Sequence, residues 1–311
     1  MKKILSVLVI LFVVISGSYA EAPKFSEYEK ATFKLIEELR KYAPKIGFEE
    51  KDVYTEFGEV CKGYNTLYFQ KNTDLVFSYF DPKMKNEDFE IEDLDEILKI
   101  MNERGYYARE YSFYLLKTIG SSGEHLITKR VLNSDRDYVI ETFFHENFHK
   151  MFSSTEFVDE ASADVVGMIA KGLFLGEGKI EIYAELKNYE VDSVIPSVNC
   201  FEKISKLHEL YLAGKISKKS YVKNKLQIVK KYGYDGIAHF SFGYTYRRYF
   251  SLMMKLMIRL DYSVVDFIKF LRTMPFSGDK IPSITDDESF KIYLDKEAEN
   301  VRYVENFIGK K

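Results

Sequence analysis

The segment His145–His149 constrains the fold of this chain more than any other part of its sequence. It reads His-Glu-x-x-His, with Glu146 directly after the first histidine. Residues four apart lie on one face of an α-helix, so a helix through this segment places both imidazoles side by side. Two such imidazoles can share one metal ion, and Glu146, about 100° around the helix axis, can reach a water molecule beside it. The pattern therefore predicts a metal-binding helix that can activate water.

The residues around the motif predict that this helix is half-buried. Ser134, with Asp137 three residues later, resembles a capping box at its start, although Asp replaces the usual Glu or Gln. Ile140, Phe144 and Phe148 then repeat every four residues, which is typical of a helix with one buried side. We therefore expect the histidines to lie close to the core, where a bound metal would supply the partner that a buried polar group needs.

The third metal ligand is expected in the acidic segment 156–164, because a catalytic zinc ion takes three protein ligands and keeps one open position. Glu160 is the preferred candidate, since only Glu160 is followed four positions later by an acidic residue, Asp164, that could support a ligand. Asp159 and Glu156 stay open as alternative ligands.

We predict that this acidic segment begins a second helix, at about 155–172, antiparallel to the first. In that hairpin Glu160 would face His149, and Asp164 would face His145 and fix its tautomer by accepting its other N–H. Small residues along the second helix would allow the close approach that a shared metal requires: Ala161, Ser162, Ala163, Gly167 and Ala170.

The acidic segment resembles the second signature of the gluzincins, the thermolysin-like superfamily of zinc metallopeptidases. In Asp159-Glu160-x-x-x-Asp164 the glutamate matches the third ligand of that signature. The last aspartate matches a residue that does not bind the metal itself but supports one of its ligands. The gap from His149 to Glu160 is shorter than in thermolysin, so the resemblance is to the superfamily. It implies one Zn²⁺ ion on His145, His149 and Glu160.

The fold class that this resemblance and the segment patterns imply is α+β and predominantly helical. We expect a zincin-like core with a small N-terminal antiparallel sheet, the HExxH helix paired with a Glu-bearing helix, and a helical C-terminal region. The expected units are an α+β region at 21–132, a zinc-binding helical hairpin at 133–178 and a helical region at 179–311. Residues 21–311 would form one catalytic unit.

Individual strands and helices follow from the periodicity. Strands are expected at 65–70, 75–80, 106–116 and 125–132, the last two joined by a turn at 120–123, and a strand at 124–132 would hold the substrate. Helices are expected at 26–45, 94–103, 198–213, 217–231, 240–259, 263–273 and 287–308.

Three later segments, 207–211, 218–223 and 243–246, resemble a family of exported bacterial proteins described as aminopeptidases. That family shares the HExxH helix, a Glu on the following helix and a later Thr-Tyr pair, and the resemblance covers most of residues 60–270. It implies an exported zinc-dependent peptidase in which Glu146 is the general base. The sequence has no motif for capturing a substrate amine, so aminopeptidase and endopeptidase activity both stay open.

Peptide hydrolysis also needs a donor to the oxyanion of its tetrahedral intermediate. The candidates lie in the segment 239–248. Tyr246 matches the Thr-Tyr pair of the family, and Tyr244 and His239 are the alternatives.

Residues 1–20 have the pattern of a signal peptide. The pattern consists of a basic start at Lys2 and Lys3, an apolar run at 4–15 and a small-x-small end at Ala20. We therefore expect the protein to be exported, either periplasmic or secreted, without stable membrane insertion after cleavage. An uncleaved N-terminal anchor is the alternative.

The net charge and the cysteine content limit which partners and which covalent links are expected. The formal net charge is −3, which gives no electrostatic reason to expect nucleic-acid binding, so the expected partner is a peptide or protein substrate. Cys61 and Cys200 are the two cysteines, and in an oxidising compartment they could form one disulfide or remain two separate buried thiols. The oligomeric state stays open.

Two other functions stay open beside hydrolysis. The first is a zinc-binding protein that has kept the fold without catalysis, which Asn147 allows because active zinc peptidases usually place an apolar residue at that position of the motif. The second is an exported binding or scaffolding module in which the motif is accidental.

Overall fold

The computed structural model describes residues 25–49, 54–57, 65–91, 93–117 and 126–310. The helices are α1 (Glu27–Tyr42), α2 (Leu94–Glu103), α3 (Lys129–Leu132), α4 (Arg136–Met151), α5 (Glu156–Leu175), α6 (Lys179–Tyr189), α7 (Ile195–Leu212), α8 (Lys218–Lys231), α9 (Ile237–Arg247), α10 (Phe250–Arg259), α11 (Val264–Leu271) and α12 (Asp287–Gly309). The strands are β1 (Glu56–Phe57), β2 (Asn65–Lys71), β3 (Lys85–Phe89), β4 (Tyr111–Lys117) and β5 (Leu126–Ile127). The predicted helical fold with a small antiparallel sheet is confirmed. The predicted signal peptide, Cys61 and the predicted turn at 120–123 lie outside the described residues.

The antiparallel sheet has the order β3-β2-β4, so β2 is its central strand. Tyr68 of β2 stands opposite Asn86 on one side and Tyr114 on the other. The strand β3 was not predicted, because Lys85–Phe89 is mostly polar and lacks the alternation of a half-buried strand. β1 and β5 form a separate parallel pair.

Two predicted strands are wrong. Residues 75–80 form no ladder; they are an irregular segment that ends in a turn and lies against α9. Of the described residues in the segment predicted at 125–132, only Leu126–Ile127 form a strand, because Thr128 caps α3 by accepting a hydrogen bond from the Val131 amide at 3.0 Å. β4 pairs with β2 and β5 with β1, so the predicted hairpin between them does not form.

The helix that carries the motif, α4, begins as its sequence predicts but with a different cap. Asp135 is the N-cap, and its carboxylate accepts the Asp137 amide at 2.9 Å. Ser134 instead donates its hydroxyl to the Arg130 carbonyl at 2.8 Å and so closes α3. The predicted apolar stripe is confirmed, since Ile140, Phe144 and Phe148 are fully buried.

Helices α4 and α5 pack closely against each other in the core. At Gly167 of α5 an added Cβ would lie 3.0 Å from the Glu141 carbonyl oxygen and 3.5 Å from the His145 Cβ. Ala161, Ala163 and Ala170 of α5 are also fully buried. The run of small residues therefore allows the backbone of α5 to approach the motif helix directly.

The C-terminal half of the chain is helical, as predicted, but the helix expected at 240–259 is divided. α9 ends at Arg247 and α10 begins at Phe250. Between them, the Arg248 guanidinium lies 4.5 Å from the ring centroid of Phe157. None of the helices among the described residues is long and apolar enough to cross a membrane.

The last helix, α12, packs against the start of α5. Asn300 is fully buried; its amide group donates to the Phe276 carbonyl at 2.8 Å and to the Thr155 hydroxyl at 3.3 Å. Glu297, one turn earlier, is also buried, and this burial raises its pKa to about 8 against the opposing attraction of Arg248. Helix α12 therefore holds in place the start of α5, where the acidic segment 156–164 begins.

Glu297 predicts a pH dependence of stability. Its carboxyl stays protonated in the folded protein up to about pH 8, whereas its ordinary pKa is 4.5. The neutral carboxyl therefore contributes stability below pH 4.5 that is lost as the pH rises towards 8, by at most about 1.4 kcal/mol per pH unit. We expect Glu297→Gln to lack this loss when the free energy of unfolding is measured with urea at pH 5 and pH 8.

The matched control is Glu305→Gln, on the exposed side of the same helix. This variant should follow the wild-type pH dependence. Equal pH dependence in Glu297→Gln and the wild type would contradict a neutral buried Glu297.

Candidate metal centre

Three side chains of α4 and α5 converge on one point. The Nε2 atoms of His145 and His149 lie 3.1 Å apart, and the Glu160 Oε2 lies 3.4 Å from each of them. The two imidazoles reach this point because they are one helical turn apart on α4, and Glu160 reaches it from the second turn of α5. These three atoms form a nearly equilateral triangle.

The triangle has the size that a tetrahedral metal requires. With metal–ligand bonds of about 2.0–2.1 Å, two ligands of a tetrahedral site lie about 3.3–3.4 Å apart. The Glu160 Oε2 is buried without a conventional hydrogen bond from any described residue. A His-His-Glu group of this kind could hold a metal ion, which would give this oxygen the partner it lacks.

Carboxylates stand behind both imidazoles. The Asp164 Oδ1 lies 3.1 Å from Nδ1 of His145, and the Asp159 Oδ1 lies 3.5 Å from Nδ1 of His149. A carboxylate in this position favours the tautomer with the proton on Nδ1, which leaves the Nε2 lone pair free for a metal. Asp159, an alternative ligand on sequence grounds, thus faces the far side of His149 from the triangle.

The electrostatics of the group favour positive charge at the triangle. Burial disfavours a charged imidazole, but Asp164 and Glu160 outweigh this effect and raise the pKa of His145 to about 10. Asp159 and Glu160 likewise hold the pKa of His149 well above its ordinary value. Burial works against ionisation of Glu160, yet the two histidines keep its pKa far below the usual range. A bound cation could therefore replace protons that the histidines otherwise hold.

A cavity of about 260 Å³ opens beside the triangle, on the side of His145. Glu146 lines it, as does Tyr246, whose ring centroid lies 6.2 Å from that of His145. Burial and the charges of nearby carboxylates, Glu160 first among them, raise the pKa of Tyr246. Its hydroxyl is therefore protonated at neutral pH and can act as a donor in the cavity.

The structure separates the other two oxyanion candidates from this cavity. Tyr244 is buried in another aromatic cluster, with its ring stacked 4.8 Å from that of Phe201. His239 stacks on Tyr114 at 4.5 Å and pairs with Asp235 at 3.2 Å. Neither lines the cavity that holds Glu146 and Tyr246.

Cys200 of α7 is fully buried, beside Ile204 and Phe201. Because Cys61 is not among the described residues, the disulfide between them stays a prediction.

One residue of the site was missed by the sequence reasoning. Tyr79 donates its hydroxyl to the Glu160 Oε1 at 2.5 Å, from a segment that we expected to be a strand. A lone tyrosine among 24 carries no local signal, since only the folded chain brings it to the acidic helix.

No family model, curated protein or solved structure matches the chain.

The geometry of the triangle predicts a ranking of metal affinities. Glu160→Ala removes one of the three atoms of the triangle and should weaken divalent-metal binding by more than about 100-fold, whereas Asp159→Ala removes only the carboxylate behind His149, at a cost of about 10–100-fold. Equilibrium dialysis against Zn²⁺ measures both. A larger loss in Asp159→Ala than in Glu160→Ala would show that the wrong carboxylate has been assigned as the ligand.

Proposed function

We propose that this protein is a zinc-dependent peptidase of the gluzincin kind, with the ion on His145, His149 and Glu160. The observation that carries the proposal is the His-His-Glu triangle with Glu146 in the adjoining cavity. Two nitrogens and one carboxylate oxygen suit zinc better than the hard cations, which prefer oxygen ligands alone. Three ligands also leave the open position of a catalytic site.

The chain's own residues then have distinct roles in hydrolysis. A zinc ion in the triangle would supply the Lewis acidity that polarises a substrate carbonyl and lowers the pKa of water. Glu146 accepts the proton of the attacking water and passes it to the leaving amine. The Tyr246 hydroxyl donates to the oxygen that becomes negative in the tetrahedral intermediate. Asp164 holds the tautomer of His145 during this cycle.

A different strand from the one we predicted lies at the cavity. Leu116 and Lys117, at the end of β4, line it together with Glu146. β4 pairs only with β2, so its other edge has no strand partner among the described residues. We propose that an extended peptide lies along this end of β4, because backbone groups at a sheet edge can bind a substrate backbone in a sequence-tolerant way.

Export is part of the proposal. The basic, apolar and small-residue pattern of residues 1–20 supports secretion or a periplasmic location. The substrates would then be peptides or proteins outside the cytoplasm.

The general base can be tested separately from the metal. Glu146→Gln should retain about one Zn²⁺ per chain, because Glu146 is not a ligand, and should lose about 10²–10⁴-fold in kcat on a mixed peptide library. Elemental analysis and mass spectrometry of the digests measure the two effects. Glu209→Gln, on an exposed part of α7, is the control. A metal-loaded wild type that cleaves no peptide would refute the proposed activity and favour a non-catalytic zinc protein.

The oxyanion donor has a matched pair of tyrosines on one helix. Tyr246→Phe should lower kcat by about 10²–10³-fold with little change in KM, since the hydroxyl acts mainly in the transition state. Tyr244→Phe, in the separate aromatic cluster, should leave kcat unchanged. Steady-state kinetics on one cleaved peptide measure kcat and KM of both variants. Equal effects of the two variants on kcat would contradict the assigned role of Tyr246.

A further inference from the structure

Residues 75–80, which we call the arm, form an irregular segment that ends in a turn and lies along one face of α9. The Ser241 hydroxyl donates to the Val76 carbonyl at 2.7 Å. One helical turn later, the Thr245 hydroxyl accepts the Tyr79 backbone N–H at 3.2 Å. Ser241 and Thr245 are both fully buried, so the arm is attached to α9 by hydrogen bonds to side chains that lie in the interior.

Tyr79, near the end of the arm, touches the third metal ligand. Its hydroxyl donates to the Glu160 Oε1 at 2.5 Å, across 81 residues of sequence. Its ring is enclosed by aromatic neighbours, with centroids 5.4 Å from Phe242, 6.0 Å from Tyr68 and 6.2 Å from Tyr246. Because an ionised carboxylate oxygen can only accept, the hydroxyl is the donor in this contact.

The two oxygens of Glu160 thus have different tasks. Oε2 faces the imidazoles of His145 and His149, whereas Oε1 is held by Tyr79. Turning the carboxylate so that both oxygens reach a metal would distort this short charge-assisted hydrogen bond and place Oε1 between two partners. The hydrogen bond therefore favours one-oxygen ligation and leaves room for an open coordination position.

We propose that Tyr79 is a positioning residue that fixes Glu160 as a one-oxygen metal ligand, and that α9 presents it through the arm. This inference rests on the proposed metal group. The Thr245-Tyr246 pair gains a double role, since Thr245 anchors the Tyr79 backbone while Tyr246 faces the cavity. Helix α9 therefore contacts the metal group through Tyr79 and also lines the cavity in which a substrate would bind.

The first test removes one hydroxyl group. Tyr79→Phe should lower the affinity for Zn²⁺, measured by competition with a chromogenic chelator, by about 10–100-fold. Tyr68→Phe is the matched control, because this tyrosine packs against Tyr79 in the same aromatic group and should retain wild-type affinity. Thermal unfolding of the metal-free proteins checks that both variants are folded.

A second measurement reports the coordination itself. Replacement of zinc by Co²⁺ gives a visible spectrum whose intensity falls when the site changes from four to five ligand atoms. We expect the wild type to show the intense four-coordinate spectrum and Tyr79→Phe to show a weaker one, as Glu160 becomes free to bind through both oxygens.

The arm has its own pair of variants. Thr245→Val keeps the shape of the side chain but removes the acceptor for the Tyr79 amide, so zinc affinity should fall in the same direction as in Tyr79→Phe, by a smaller factor. Thr245→Ser keeps the hydroxyl and should restore the affinity. A merely structural role of Thr245 would lower thermal stability without changing the Co²⁺ spectrum, and that result would overturn the part assigned to the arm.

The outcomes separate this inference from the proposed function. Unchanged zinc affinity and an unchanged Co²⁺ spectrum in Tyr79→Phe would refute the role of Tyr79 while leaving the peptidase proposal intact. Altered metal binding in Tyr79→Phe together with a wild type that cleaves no peptide would support Tyr79 and refute the peptidase. A wild type that binds neither Zn²⁺ nor Co²⁺ would overturn both.

Discussion

The close packing of α5 against α4 positions the side chains of the candidate metal group. At Gly167 even a methyl group would press on the Glu141 carbonyl of the opposite helix. That approach brings the Glu160 Oε2 within 3.4 Å of both imidazole nitrogens, the separation that a small divalent cation bridges. The same contact places Asp164 behind His145. The packing of these two helices therefore positions both Glu160, which faces the imidazoles, and Asp164, which holds His145 from its other side.

Other parts of the fold hold this pair of helices from outside. α12 secures the start of α5 through Asn300, and the arm reaches Glu160 from α9. Such support matters because three charged or polar side chains gathered without a metal are costly to bury, and each needs a partner to keep its orientation. Asp159, Asp164 and Tyr79 supply these partners on the side away from the triangle.

The sequence predicted helices far better than strands. A helix is closed by hydrogen bonds within its own segment, so the repeat of Ile140, Phe144 and Phe148 is enough to predict α4. A strand needs a partner elsewhere in the chain. The aromatic, apolar run at 75–80 has strand-like composition, but its backbone finds Ser241 and Thr245 of α9 instead of a neighbouring strand.

The spacing of His145 and His149 in the sequence is enough to place them side by side, because that relation depends only on the rise and twist of one helix. The sequence could not determine which carboxylate completes the group. Asp159 and Glu160 are adjacent and differ by about 100° around their helix, so the rotation of α5 against α4 decides which one meets the imidazoles. Only the tertiary structure set that rotation, through the small residues of α5, and only it brought Tyr79 to Glu160 across 81 residues of chain.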